Sequence, residues 1–310
     1  MHLDPSSVHY PVLKEFDEHL INAVGAARKT REMYLRYSQE FLRDCVGEDT
    51  PLGTVKWDLL KVASFVADRH GNRGTQTMKS TATALRSFFR FLEMKGWGDK
   101  RLVSAVPMIP RYRLSSVPEF MTREQLNQFL RSLPRREPLE RRDYAVVLCL
   151  ARLGLRVHEV ALLSIDAIHW RDGFVDINSD KTRRSDVMPL PKDVGGAIVA
   201  YLKRGRPATK TRQIFVRHKQ PIGTSISGGA ISALFRRRLK KSGMELPGRG
   251  AHRLRHTLAT HLVQQGTPLK QIADILRHRS LDTTVLYAKV NLPMLRKVAL
   301  PWPCDQEVGR

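Results

Sequence analysis

The amino-acid sequence predicts a mainly α-helical protein with two domains: an all-α bundle, followed by an α+β domain that contains a small β-hairpin or sheet. Two observations predict this fold class. Apolar residues recur at helical spacing along most of the 310 residues, whereas only two short runs, 173–178 and 186–190, resemble β-strands. A segment with several prolines separates the helical regions. We therefore predict an N-terminal helical domain over 1–105, a linker over 106–118, a second domain over 119–290 and a C-terminal tail over 291–310.

The first domain is predicted to be helical from about residue 11 to residue 97, because its apolar residues fall on single helix faces. Its last helix, 75–95, turns Leu85 inward. We expect that helix to leave Arg86 and Lys95 available to a partner and to end at Gly96.

Three prolines, Pro107, Pro110 and Pro118, mark the linker, since proline lacks a backbone N–H and disfavours helix on either side. A helix then restarts at Thr122. The Thr122 hydroxyl can accept a hydrogen bond from the first turn while Gln125 reaches back to the Thr122 backbone. The second domain is therefore expected to begin here.

Helices also dominate the second domain. A long apolar helix over 144–153 ends at Gly154, and another begins near Val157. The two strand-like runs follow, joined by the polar loop 179–185, and the pattern is helical again after them. Cys149 lies in the apolar helix, so we expect it to be a core residue and not a nucleophile.

The charge balance indicates a polyanionic partner. Lys and Arg number 53 against 30 Asp and Glu, which gives a formal net charge of +23. A ribosomal or merely solubilising surface would also explain such a surplus, but nucleic acid is the commonest partner that compensates it. The cationic residues are spread over the whole length, which excludes a single basic tail.

Other classes of protein are not expected from this sequence. No stretch approaches the roughly 18 uninterrupted apolar residues of a membrane span, and the N-terminus lacks a signal-peptide pattern, so we predict a cytoplasmic location without membrane contact. Cys45, Cys149 and Cys304 are too few and too scattered for a disulfide framework or a four-ligand zinc site. We expect reduced thiols, no metal and no cofactor.

Two histidines and an arginine crowd the opening turn of a predicted helix near residue 252. His252 lies three residues before Arg255 and four before His256, so all three side chains can project from the helix N-terminus, where the helix dipole favours an anion. A phosphate would fit there. Zinc is less favoured, because no Glu lies between the histidines and Arg255 would repel a cation. The segment alone leaves open a helix start with incidental histidines.

The order of other residues around this segment carries a resemblance. Upstream are Gly154-Leu155-Arg156 and Lys181 in the hairpin loop; downstream are Leu276-Arg277-His278-Arg279-Ser280 and Tyr287, which follows His278 by nine residues. Roughly from Thr122 to Val290, and loosely before that, the chain resembles a tyrosine recombinase of the phage integrase family. The family pattern is an Arg in G-L-R, a Lys on a β-hairpin, an H-x-L-R-H box, a later His in G-H-x-S and a Tyr nine residues beyond it.

The resemblance implies a SAM-like core-binding bundle in front of a catalytic domain of the tyrosine recombinase type. In that interpretation Tyr287 is the nucleophile, which needs a cationic pocket and a base because its ordinary pKa is near 10. Arg156 and Arg255 would bind phosphate oxygens and make a metal unnecessary. The remaining roles fall to His252 and His278 as hydrogen-bond donors to the phosphate, Lys181 as the acid for the leaving 5′ oxygen, His256 as the proton acceptor, and Glu159 with Asp166 as supports of Arg156.

Two positions depart from the family pattern. The residue before His278 is usually Gly, which suits a left-handed helix cap, so Arg277 affects the expected aim of His278. The hairpin loop is about one residue longer than usual, which makes Arg183 and Arg184 alternatives to Lys181.

The predicted function is site-specific recombination: cutting and rejoining of double-stranded DNA through a 3′-phosphotyrosine, without metal or ATP, by a homotetramer on two DNA sites. Alternatives are relaxation of DNA by a type IB topoisomerase and a non-catalytic DNA-binding factor on the same fold. The run 269–287 also resembles a helix-turn-helix, and Tyr287 in isolation would be a core residue. The tail contains too many apolar residues to remain solvated and is expected to dock on a neighbouring chain: Leu292, Leu295, Val298, Leu300 and Trp302.

Overall fold

The computed structural model describes residues 5–73, 75–110, 118–178, 185–244, 246, 250–278, 280 and 282–288. The chain divides into two compact units, residues 1–112 and 113–310. Helices make up most of both units, and the described strands form one small antiparallel sheet in the second. The predicted mainly α fold with a small sheet is confirmed. Across the described chain, no helix is both long and apolar enough to cross a membrane.

The first unit is an all-α bundle with an aromatic core. Phe16 packs edge-on against Phe88, with ring centroids 5.1 Å apart, and Phe41 packs edge-on against Phe89 at 5.2 Å. All four rings are buried, since they lie on the apolar faces that the helical spacing predicts. The helices are α1 (Tyr10–Asn22), α2 (Arg28–Phe41), α3 (Leu59–Arg73), α4 (Thr75–Met94) and α5 (Lys100–Ala105).

Arg86 of this bundle has partners within its own unit. The Arg86 Nη2 donates to the backbone oxygens of Val106 and Pro107, at 3.1 and 2.9 Å, so this nitrogen caps the end of α5. An arginine on a polar helix face satisfies nearby carbonyls when the chain returns past it. Lys95 pairs with Glu15 at the surface, with Nζ 2.6 Å from the carboxylate.

The first helix of the second unit begins where the sequence predicts. Thr122 caps α6: its Oγ1 accepts from the Gln125 backbone N–H at 3.2 Å, and the Gln125 Oε1 accepts from the Thr122 N–H at 2.9 Å. The helices are α6 (Arg123–Ser132), α7 (Pro138–Arg152), α8 (Val157–Leu162), α9 (Lys192–Arg204), α10 (Gly228–Lys241), α11 (His252–Gln264), α12 (Leu269–Ile275) and α13 (Asp282–Val285).

Helix α7 forms the centre of the second core. Every residue from Ala145 to Ala151 is buried, because α6, α9, α10 and α11 surround the helix. Cys149 lies among them fully buried, and burial raises the pKa of its thiol to about 12, so the prediction that it is a core residue is confirmed.

The sheet has three antiparallel strands in the order β1 (Ile168–His169), β2 (Phe174–Asn178) and β3 (Ser185–Pro189). Val175 pairs with Met188 and Ile177 with Asp186. Val175 and Ile177 are buried whereas Val187 is exposed, so one face of the hairpin joins the core and the other faces solvent. Strand β2 also packs against α8.

Candidate active site

Helix α11 begins at His252 and brings the three predicted side chains to one end. The His252 and His256 ring centroids are 5.8 Å apart. Partial burial, together with Arg255 and Arg156, lowers the pKa of His252. The two histidines of this opening turn are therefore neutral at pH 7.

Arg255 lies one turn into α11 and ties three motif segments together. Its side chain is 3% exposed, and its two Nη nitrogens donate to the backbone oxygens of Gly154 and Leu276. Burial lowers its pKa to about 9, with Arg156 and Arg277 adding repulsion, so the guanidinium remains charged at pH 7. The box on α11, the Gly154 turn and the end of α12 thus meet at one buried cation.

Arg156 precedes α8, and its carboxylate partner, Glu159, also accepts a hydrogen bond from Arg277. The Arg156 Nη1 donates to the Glu159 Oε1 at 2.7 Å, and the side chain is 38% exposed. Burial by itself would raise the pKa of Glu159, but Arg277 and Arg156 outweigh it and hold the pKa below its usual range. Arg156 therefore presents a charged, partly free guanidinium beside Arg255.

Tyr287 follows α13 and reaches the same cluster. Its Oη lies 2.7 Å from the His256 Nδ1, and its ring stacks on His278 with centroids 6.4 Å apart and planes 5° from parallel. The residue is 2% exposed and packs against Ile272 and Leu276. Burial raises the Tyr287 pKa, although Arg255 opposes the change. The phenol is thus protonated at pH 7 and hydrogen-bonded to an imidazole.

The His278 ring is held by a hydrogen bond to Thr284 on α13. Its Nδ1 lies 2.8 Å from the Thr284 Oγ1, and Thr284 is fully buried. Burial, and then Arg255 and Arg156, lower the His278 pKa to about 4. With Nδ1 bonded to the threonine hydroxyl, Nε2 is the ring nitrogen left to meet a substrate.

The turn before His278 forms despite the unusual residue there. Arg277 has φ +53°, and the N–H groups of Arg277 and His278 donate to the oxygens of Asp274 and Ala273 at 3.0 and 2.9 Å. This is the hydrogen-bond pattern of a helix C-cap that usually contains Gly. Arg277 therefore supports the same backbone geometry and adds a side chain to it.

The comparisons with known proteins agree with this geometry. A model of the phage integrase family matches residues 119–292. The chain is 36% identical to the putative integrase/recombinase y4rA of Sinorhizobium fredii over 98% of this chain and 73% of that protein. The chain belongs to the phage integrase family. The family prediction from the motifs is thus confirmed.

Other relatives of this phage integrase family member are tyrosine recombinases. The chain is 29% identical to the tyrosine recombinase XerA of Thermococcus kodakarensis, over 92% of this chain and 93% of XerA. Two solved structures share its fold: the XerH recombinase in a post-cleavage complex with palindromic difH substrate has a TM-score of 0.70, 19% identity and coverage of 92% and 83% of the two chains. A lambda integrase dimer bound to a COC′ core site has a TM-score of 0.68, 17% identity and coverage of 94% and 79%.

The structure brings together seven of the nine residues predicted for the integrase site. They are Arg156, Glu159, His252, Arg255, His256, His278 and Tyr287. Lys181 lies outside the described residues. The expectation that Asp166 supports Arg156 is wrong: Asp166 accepts instead from the Arg212 Nε at 2.9 Å on an exposed surface. Among the described residues, no group of three or more His, Cys, Asp or Glu is arranged to hold a metal.

Sequence reasoning missed Thr284 as a partner of His278. The threonine lies six residues after the histidine, on a four-residue helix, α13, whose turn no periodicity rule predicts. A threonine pair after the H-x-S segment was the available signal.

Gly154 in the integrase site is expected to resist substitution. It has φ +59°, and a Cβ there would lie 2.9 Å from the Leu258 Cδ2 and 3.0 Å from the Leu276 Cδ2. Gly154→Ala should lower the free energy of unfolding by about 2–4 kcal/mol, from left-handed strain and overpacking together. Gly173→Ala is the matched control, since Gly173 has φ +70° with nothing within 4 Å and bears only the strain. Urea denaturation of both variants measures the difference; equal losses would contradict it.

The pKa values of the site histidines are expected to differ from that of a surface histidine. In the DNA-free protein, the His256 and His278 rings should titrate near pH 4, since burial and neighbouring cations lower the pKa of each to about 4. His169 is the control: Asp176, 2.9 Å away, raises its pKa above the usual 6.5. Ring chemical shifts followed by NMR from pH 3.5 to 8 measure all three.

The sign of the linkage follows from those pKa values. Between pH 6.5 and about 4 the unfolded chain binds protons that His256 and His278 do not take up when folded, so the free energy of unfolding falls as the pH falls through this window. A midpoint above pH 6 for either ring would contradict the assigned burial of that ring.

Proposed function

We propose that this phage integrase family member is a site-specific DNA recombinase that cuts and rejoins duplex DNA through a 3′-phosphotyrosine on Tyr287. One observation carries the proposal: the Tyr287 Oη lies 2.7 Å from the His256 Nδ1, within the cluster that contains Arg156, Arg255 and His278. A nucleophile beside a neutral base and two guanidinium groups is what attack on a phosphodiester requires.

The proton follows the hydrogen bond. The Tyr287 Oη attacks phosphorus and its proton passes to the neutral His256 Nδ1, while the bond from phosphorus to the 5′ oxygen breaks. The reverse reaction, with the 5′ hydroxyl of another strand, releases Tyr287 and rejoins the DNA without ATP.

Charge on the phosphate oxygens is met by arginine. Each Nη of Arg255 donates one N–H to a backbone oxygen, of Gly154 or of Leu276, and carries a second N–H. The guanidinium can therefore hold these two segments and bind an anion at the same time. Arg156 offers its exposed guanidinium edge. With His252 and the Nε2 of His278 as further donors, the guanidinium groups supply the charge that a metal supplies in other nucleases, and we propose a metal-free reaction.

Lys181 is proposed as the acid that protonates the leaving 5′ oxygen. Replacing Lys181 with Ala should slow cleavage by about 10²–10⁴-fold on an ordinary duplex, and much less on one with a 5′-bridging sulfur, which leaves without a proton. Arg183→Ala is the control, since this neighbour is the nearest alternative acid in the sequence. Single-turnover rates on the two duplexes measure it, and equal defects on both would move the role away from Lys181.

The proposed partner is double-stranded DNA. The net charge of +23 supports it, as do the solved structures of similar fold, which are complexes with DNA. The relatives are integrases and recombinases, which supports recombination over relaxation by a type IB topoisomerase or a non-catalytic role. We further propose a homotetramer on two DNA sites and action in the cytoplasm at the nucleoid. The tail 291–310, which is expected to dock on a neighbouring chain, lies outside the described residues.

Covalent capture tests the function and identifies the DNA site in the same experiment. The protein is incubated in EDTA with duplexes that contain a randomised central segment, denatured with detergent, and the attached strands are sequenced. We expect strands enriched in one sequence and joined to the protein by their 3′ ends. Attachment through the 5′ end, or capture that requires a divalent metal, would contradict the proposal.

A further inference from the structure

Arg277 occupies a backbone position that disfavours it. Its φ of +53° is the only positive value for a non-glycine residue in the part of the chain that the structure describes. The left-handed conformation costs a residue with a Cβ about 1–2 kcal/mol, and glycine avoids that cost. The backbone alone would therefore be better served by glycine, which directs attention to the side chain.

The Arg277 side chain is committed inside the protein. It is 7% exposed, and its Nη2 donates to the Glu159 Oε2 at 2.8 Å. Its Nη1 contacts the Met188 Sδ and the Ile275 oxygen on the flanking β3 and α12. Its Nε is buried, 4.0 Å from Asp186, without a hydrogen bond to any residue that the structure describes. The guanidinium is thus fixed against Glu159 and does not face a substrate directly.

Glu159 joins the guanidinium groups of Arg277 and Arg156, and the Arg156 Nη2 also donates to the Arg277 backbone oxygen at 3.4 Å. Its Oε1 accepts from the Arg156 Nη1, and its Oε2 accepts both from the Arg156 N–H at 2.8 Å and from Arg277. The carboxylate is 7% exposed. With only Arg156 as partner, a buried carboxylate would bind that guanidinium strongly in a medium of low dielectric and compete with any phosphate for it.

We infer that Arg277 is a positioning residue, which holds Glu159 and compensates its charge so that Arg156 can turn toward a phosphate. Arg277 takes part of the carboxylate charge, and the competition for Arg156 weakens. The contacts with Met188 and Ile275 keep the Arg277 guanidinium in place while the Arg156 side chain moves. The inference rests on the proposed function only where it identifies the anion as a DNA phosphate.

Four full-length proteins test it: wild type, Arg277→Gly, Glu159→Gln and the double variant. Arg277→Gly removes the guanidinium and gives the backbone the residue that suits φ +53°, so its melting temperature should not fall through strain at the turn. Two quantities are measured: the affinity for inorganic phosphate by calorimetry without DNA, and the rate of covalent attachment to the duplex captured by the wild type.

The effect of Glu159→Gln on phosphate binding and attachment is expected to differ in sign between the wild type and Arg277→Gly. Arg277→Gly should weaken phosphate binding and slow attachment by about tenfold or more, the loss of one hydrogen bond between charged groups. Glu159→Gln alone should also weaken both, because Arg156 and Arg277 lose their shared partner. Added to Arg277→Gly, however, Glu159→Gln should recover most of the loss, since it removes the carboxylate that then holds Arg156. A purely structural role for Arg277 predicts no such recovery.

Other results overturn the inference. Equal phosphate binding by all four proteins, including none, contradicts it, and so does a double variant weaker than Arg277→Gly alone. If the wild type captures no duplex, the proposed recombination fails, but the order of the four proteins in phosphate binding still decides the role of Arg277. Arg277→Lys, which keeps a charge near Glu159, should lie between wild type and Arg277→Gly.

Discussion

A Tyr287→Phe variant should form no covalent protein–DNA complex while it binds duplex DNA nearly as well as the wild type. The Tyr287 hydroxyl is the group proposed to attack phosphorus, and it lies 2.7 Å from the His256 Nδ1. Phe preserves the ring that packs against Ile272 and Leu276. The loss of one hydrogen bond should cost about 0.5–1.5 kcal/mol of stability, too little to unfold the domain.

Tyr201 provides a matched control for that substitution. It is also a fully buried tyrosine whose hydroxyl meets an imidazole, the His218 Nε2 at 3.2 Å, and its ring stacks on Phe215. Tyr201→Phe makes the same chemical change outside the proposed site and should leave covalent capture intact. Detergent gels of labelled duplex measure attachment, and mobility shifts measure binding. Covalent complexes formed by Tyr287→Phe would remove Tyr287 as the nucleophile.

Signals that act over a few residues were sufficient to predict much of this integrase. The capping box of Thr122 and Gln125 predicts the start of α6, and the crowded turn at His252 predicts the start of α11. The motif order places Arg156, Arg255, His278 and Tyr287 in one site although long stretches of chain separate them, because a family pattern records a tertiary arrangement that spacing alone does not. Helix periodicity likewise predicts the apolar faces that form the core.

The interactions that sequence reasoning missed join residues far apart along the chain. Asp166 pairs with Arg212 and not with Arg156, its neighbour in sequence, since the direction of a side chain depends on which element packs beside it. Strand β1 has only two residues, which is too short for an alternating pattern. Arg277 and Glu159 form an ion pair although they are 118 residues apart in the sequence. Only the folded chain shows that Arg277, which departs from the family pattern, has this partner.

Replacing the two arginines that are proposed to bind the phosphate should have different consequences. Arg156→Ala should lower the rate of covalent attachment by about 10³-fold, as expected when a guanidinium that meets transition-state charge is removed. Stability should change by only about 1 kcal/mol, because the Arg156 side chain is 38% exposed and Glu159 keeps its hydrogen bonds from the residue-156 backbone N–H and from Arg277. Arg212→Ala, which removes an exposed partner of Asp166 in the same unit, is the control and should leave attachment unchanged.

Arg255→Ala should instead lose activity and stability together. Its removal leaves the buried oxygens of Gly154 and Leu276 without their donors, which should cost about 2–4 kcal/mol of unfolding free energy. It also removes a positive charge that is proposed to bind the phosphate. Arg255→Lys keeps the charge but cannot span both oxygens, so it should recover only part of each loss. Urea denaturation and single-turnover attachment, measured on the same preparations, separate the two effects. If Arg255→Ala were as stable as Arg156→Ala, Arg255 would not join the three motif segments, and its role would be limited to the phosphate.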